Sequence, residues 1–179
     1  MLHEEVDVEQ PEQPVAHYEL LRDHRLLKGL DDDIVRRLAD ALSTCTATPG
    51  EELIREGDLA SHMYIILTGE LEVLTRGGAN ESNVRVALLG PGDWFGEMAL
   101  LDVQPRSATV RALAPSTLVR VGMSEVKQEL YERDTAQYAL LVMNIARELS
   151  RRLRVADGLI ARSTFVNEYV ETSQFPPKR

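Results

Sequence analysis

The spacing of apolar residues changes twice along the chain. Between residues 18 and 30, Leu20, Leu21, Leu26, Leu27 and Leu30 predict one short helix or a broken pair. Residues 31–42 predict a clearer helix: Asp31 stands at the cap position, and Ile34, Val35, Leu38 and Leu42 recur at helical spacing. From Ser43 to Val121 the period shortens. Alternating segments at 52–55, 63–67, 71–74, 84–89, 108–113 and 117–121 predict strands. They are separated by turn residues, among them Pro49-Gly50, Gly57-Asp58, Gly69, Gly77-Gly78 and Gly90-Pro91-Gly92-Asp93. The helical period then returns, with one helix predicted at 124–131 and a longer one at 135–160. Tyr138, Leu141, Val142, Ile145, Leu149, Leu153 and Ile160 form the apolar stripe of the longer helix.

Short helices, many short strands and a long helix define an α+β chain. The predicted architecture is an antiparallel β-roll or jelly-roll barrel flanked by N-terminal helices and a long C-terminal helix. Residues 1–15, acidic and holding Pro11 and Pro14, read as a flexible arm. One domain then spans 16–162, with its roll at about 43–122 and its C-terminal helices at 124–160. Residues 163–179, with Pro176-Pro177, read as a partly ordered tail. There is no internal repeat.

Composition narrows the partners. The net charge of -9 opposes phosphate backbones and anionic membranes, so neither nucleic acid nor a membrane is expected as partner. A small anion is not excluded, because one buried arginine outweighs the overall field at short range. Cys45 is the only cysteine, which rules out a disulfide framework and fits a reducing compartment. His62 is the one histidine of the strand region, too few for a metal site. The acidic N-terminus is not a signal peptide, and no apolar run reaches membrane-spanning length, so a cytoplasmic setting is expected. Asn80-Glu-Ser82 fits a glycosylation pattern but reads as chance without a secretory signal.

The chemistry concentrates in residues 95–110, which stand where a hairpin turn belongs. Gly96 permits a backbone conformation closed to other residues. Met98 and Ala99 begin a possible helical turn whose first N–H groups are unpaired and suit an anion. Glu97 can accept from a hydroxyl. Arg106, nine positions later, offers a planar fork for two phosphate oxygens. Ser107 adds a hydroxyl, and Ala108 leaves its N–H accessible. One carboxylate for a diol edge and one guanidinium for a phosphate suit a sugar phosphate. No nucleophile–base pair, paired carboxylates or Walker-type loop is present, so the set suits binding and no enzyme activity is expected.

Phe95-Gly-Glu-Met-Ala-Leu100, five residues, then Arg106-Ser-Ala108 resembles the phosphate-binding cassette of the cyclic-nucleotide-binding domain family. The resemblance extends to Gly57-Asp58, residues 63–70 and Gly92-Asp93, and covers roughly 26–160. It implies that Glu97 accepts from the ribose 2′-OH and that Arg106 pairs with the cyclic phosphate. It also implies that the N–H groups of Gly96, Glu97 and Ala108 cradle the ligand, with Ser107 beside phosphate and base. Met98 and Ala99 belong to the same cassette, and no metal is required.

The long helix is expected to lid the base. Residues 141–157, with Arg151, Arg152 and Arg154, look like the dimer helix of catabolite-activator-type regulators, and Arg152 and Asp157 complete the candidate binding set. If Asp157 faces the pocket, a carboxylate that only accepts favours cyclic GMP; if it lies on the solvated helix end, cyclic AMP is expected. About twenty residues follow the helix, too few for a helix-turn-helix domain, so ligand binding is implied and DNA binding is not. The expected function is a stand-alone cyclic nucleotide receptor that signals through its C-terminal helix to a protein effector. That helix either closes as a lid or forms a weak homodimer. The alternatives are a truncated or DNA-binding-deficient transcription regulator and a non-binding structural module.

Overall fold

A computed structural model describes residues 14–59, 61–77, 82–101 and 104–174, apart from the side chains of 14–16, 82, 99, 159 and 162–174. Of the arm expected at 1–15, residues 1–13 lie outside the described residues, as does Asn80, while Pro14 and Val15 begin the first helix.

The N-terminal apolar segment is the broken pair. Helix α1 (Pro14–Leu21) is followed by a 3-10 turn (Arg25–Leu27) and then by α2 (Asp32–Asp40). His24 Nδ1 accepts from Leu26 N–H at 3.3 Å and so caps the turn. Asp31 has the extended backbone of a cap residue, but its side chain makes no cap bond. Asp32 and Asp33 place negative charge in the first turn instead, where the helix dipole favours it.

Eight strands follow: β1 (Ser43–Ala47), β2 (Glu52–Ile54), β3 (His62–Thr68), β4 (Leu71–Gly77), β5 (Ser82–Leu89), β6 (Trp94–Phe95), β7 (Thr109–Ala112) and β8 (Ser116–Gly122). They form two four-stranded antiparallel sheets, ordered β1-β8-β3-β6 and β2-β7-β4-β5. A short helix, α3 (Met98–Leu101), interrupts the path from β6 to β7. Two of these strands escape the sequence pattern. β1 (Ser-Thr-Cys-Thr-Ala) turns only the small Cys45 and Ala47 inward, and β6 has just two residues.

Strand alternation divides the core in two. Ile66, Phe95 and Leu118 of one sheet meet Leu71, Val110 and Ala112 of the other inside the roll. Met63, Ile65, Trp94, Val119 and Val121 point the opposite way, against the helices. There they meet Ile34, Val35 and Leu38 of α2, and Leu141 and Ile145 of the C-terminal helix. Burying both faces of β3 and β8 explains why Ile65 and Ile66, and Leu118 and Val119, are apolar neighbours where alternation alone predicts a polar residue.

After β8, α4 (Met123–Val126) passes into a π-helical turn (Lys127–Tyr131), and α5 (Thr135–Gln174) begins beyond Asp134. The Asp134 carboxylate accepts from the N–H groups of Ala136 and Gln137 at 3.1 and 3.2 Å. Helix α5 passes the expected end at Ile160 and runs to Gln174, shortly before Pro176-Pro177. No proline interrupts it, and Gly158 is tolerated within it. Among the described residues no helix is long and apolar enough to cross a membrane.

Asn144, buried on α5, ties this helix to the 3-10 turn. Its Nδ2 donates to the carbonyls of Leu26 and Lys28 at 3.0 and 2.9 Å. Asn144→Ala leaves both carbonyls without that donor and is expected to lower unfolding stability by about 1–2 kcal/mol, as denaturant titration would show.

Candidate functional site

The site begins where β6 ends. At Gly96 the backbone takes φ +81°, the left-handed region that glycine enters without strain. The chain then makes α3, in which Leu100 N–H donates to Glu97 O at 2.9 Å, and returns toward β7 at Arg106.

Arg106 is woven into this return. Its N–H donates to Asp58 O at 2.8 Å, and its carbonyl accepts from Gly57 N–H at 2.9 Å. Its guanidinium reaches back across the cassette: Nη1 donates to Gly96 O at 3.2 Å and Nη2 to His62 O at 2.6 Å. The residue is only 9% exposed and lines the cavity described below. Among the described residues no carboxylate lies within ion-pair distance of it. Burial lowers its pKa, the signature of a cation removed from water.

Glu97 is 3% exposed. Burial raises its pKa, opposed chiefly by the positive charge of Arg152. Arg152 Nη1 donates to Glu97 Oε1 at 3.1 Å, its Nη2 to Trp94 O at 2.7 Å and its Nε to Glu148 Oε1 at 3.2 Å. Glu148 is buried as well. Hydrogen bonds from Arg151 and Arg152 hold its pKa down to about 2.

These groups border a cavity of about 570 Å³, within the range of small-molecule sites. Of the residues proposed from sequence, Gly96, Glu97, Met98, Arg106, Ser107, Ala108 and Arg152 line it. Ala99 lies in α3, with its side chain outside the description. Asp157 is exposed and absent from the lining, whereas its neighbours Val155 and Ala156 belong to it. The sequence reading missed the opposite apolar wall, formed by Val86 and Leu88 of β5. It also missed Glu148, although a glutamate three and four residues before two arginines on one helix is a standard signal for ion pairing.

A buried cation, a buried carboxylate and two apolar walls, built on a double-sheeted β-roll, have the chemistry to hold a small amphipathic anion. Residues 45–133 match the family model described as the cyclic nucleotide-binding domain, and the chain belongs to that family through this domain.

Over 110 residues the chain is 37% identical to a cAMP-dependent protein kinase regulatory subunit of Candida albicans. That alignment takes in 62% of this chain and 23% of the fungal protein, so the match spans less than a quarter of the relative's length. A cyclic nucleotide-binding domain from Methylobacillus flagellatus superposes with a TM-score of 0.70 at 25% identity, over 84% of this chain and 83% of that one. The catabolite activator protein of Thermus thermophilus superposes with a TM-score of 0.65 at 28% identity, over 79% and 63% of the two chains.

Proposed function

We propose that this chain is a non-enzymatic receptor for cyclic AMP, and that its occupancy is read by a protein partner through α5. One observation carries the reading: Arg106 is a buried guanidinium at a cavity wall, held by two carbonyls, with no carboxylate in ion-pair distance among the described residues. Neutral carbonyls satisfy its donors but not its charge. A cyclic phosphate supplies one negative charge and two oxygens for the same fork.

Glu97 faces the same cavity and accepts from the ribose 2′-OH in this reading. The base lies between Val86 and Leu88 on one side and Val155 and Ala156 on the other, which makes α5 a lid. Asp157 supports adenine over guanine by its position. A carboxylate at the cavity would draw the two donors of guanine, and this one is exposed outside the lining. The name of the fungal relative points the same way, toward cyclic AMP and toward a protein kinase catalytic subunit as the class of partner. A cytoplasmic setting accords with that likeness.

Calorimetric titration of the nucleotide-free chain with cyclic AMP and cyclic GMP tests the proposal. Saturable binding is expected, tighter for cyclic AMP; no saturable heat with either would sink it. Glu97→Gln is expected to weaken cyclic AMP by about tenfold, the worth of one hydrogen bond to a charged acceptor. The 2′-deoxy nucleotide should lose a similar factor on the wild type and little more on the variant. Additive losses would show that Glu97 does not touch the ribose.

A further inference from the structure

Glu148 lies outside the cavity lining, yet it is 7% exposed and meets arginines from two elements. Arg151, one turn further along α5, donates to both of its oxygens, and Arg25 of the 3-10 turn lies 3.5 Å from Oε2. Arg25 also stands 3.6 Å from Asp93, at the approach to β6. A carboxylate anchored from both sides is a fixed post. Arg152, four residues further along α5, leans on that post through Nε.

The other two guanidinium nitrogens of Arg152 face Trp94 O and Glu97 Oε1. Each of its three nitrogens therefore has a separate partner, and together these fix the plane of the group. From this geometry we infer that Glu148 is a positioning residue for ribose recognition, acting on Glu97 through Arg152 without touching the ligand. The inference rests on the reading of Glu97 as the acceptor for the ribose hydroxyl.

The alternatives open to Arg152 explain why the post is needed. Its side chain is long and 32% exposed, so solvent competes for it. Without Glu148 the guanidinium keeps two contacts and gains rotational freedom toward water. Glu97 is then a buried carboxylate with a weakened counter-charge. The charged groups facing it are Arg152, Glu148 and Arg106. Arg106 cannot substitute for Arg152, since its Nη1 and Nη2 are committed to Gly96 O and His62 O. A buried carboxylate whose hydrogen-bond partner is no longer held turns to find another, and it then no longer presents its oxygen to the ribose hydroxyl.

The test uses the full chain with Glu148→Gln, which keeps shape and removes charge, and Arg152→Lys, which keeps charge and removes the fork. Affinities for cyclic AMP and its 2′-deoxy analogue are measured for each. The wild type prefers the ribose form. Glu148→Gln is expected to reduce that preference by about tenfold, with the 2′-deoxy affinity little changed. Arg152→Lys should reduce it by a smaller factor, and carries the test should Glu148→Gln not fold.

A merely structural role would weaken both ligands alike and leave the ratio intact, which overturns the inference. Failure of the wild type to bind either nucleotide overturns the proposed ligand instead.

Discussion

Arg106→Ala is expected to weaken cyclic AMP binding by at least about a hundredfold, close to 3 kcal/mol. Three effects add. The phosphate loses a charge-assisted fork. The cavity keeps the cost of holding an anion away from water with no cation to offset it. The carbonyls of Gly96 and His62 lose their guanidinium donors, so the cassette is less well held to β3. The roll itself should survive, because the backbone bonds of residue 106 to Gly57 and Asp58 do not depend on the side chain. Arg106→Lys keeps the charge but cannot reach both carbonyls in one plane, and should fall between wild type and alanine. Titration of both variants, with thermal unfolding as the control for folding, decides the matter. An alanine variant within tenfold of wild-type affinity would remove Arg106 from the site.

Gly96→Ala should be nearly as damaging to binding although it removes no functional group. A Cβ built there lies 2.7 Å from Arg106 Nη1 and 3.1 Å from His62 O. The His62 carbonyl belongs to β3, which is flanked by β8 and β6 and has little freedom to retreat. The guanidinium must move instead, and the proposed phosphate contact depends on its orientation. The left-handed backbone, φ +81°, adds a conformational cost of about 1–2 kcal/mol for any residue with a side chain. The expected result is a binding loss of roughly thirtyfold or more together with a lower unfolding midpoint. Gly50→Ala is the matched control. Its φ is +89°, but a Cβ there meets nothing within 4 Å. That variant should lose stability and keep its affinity. If both variants lose only stability, the close approach at Gly96 is not what positions Arg106.

The cassette was legible in the sequence because its parts are contiguous: Gly96, Glu97, Arg106, Ser107 and Ala108 lie on one short excursion between strands, and order along the chain nearly fixes their proximity. The helices were legible wherever Leu, Ile and Val repeat at helical spacing. What escaped depends on distance in sequence or on angle around a helix. The pairing of Arg152 with Glu97 joins residues 55 apart, through the path of α5 over the roll. The β5 wall needs the register of β4 and β5, in which Glu72 opposes Leu88, before Leu88 can be placed. Asp157 shows the angular limit. Arg152, Val155 and Ala156 stand at spacings of three and four and share one helical face, and the next position turns about 100° away from it. The extent of α5 escaped for a different reason: the apolar stripe that forecasts a helix marks where it is buried, while the backbone stays helical beyond that stripe as far as Gln174.

Trp94 gives this protein a built-in optical gauge. It is the only tryptophan in the chain, 1% exposed, and its indole N–H has no hydrogen-bond partner among the described residues. The Arg25 guanidinium lies 5.2 Å and that of Arg152 5.7 Å from its ring centre, with the edge of His24 packed beside them. An excited indole shifts charge across its rings, so its emission energy responds to each nearby cation. Any swing of Arg152 away from Glu97 changes the field at that one chromophore, and with it the colour and yield of fluorescence. The lid movement proposed for α5 can therefore be timed in an unlabelled, unmodified chain.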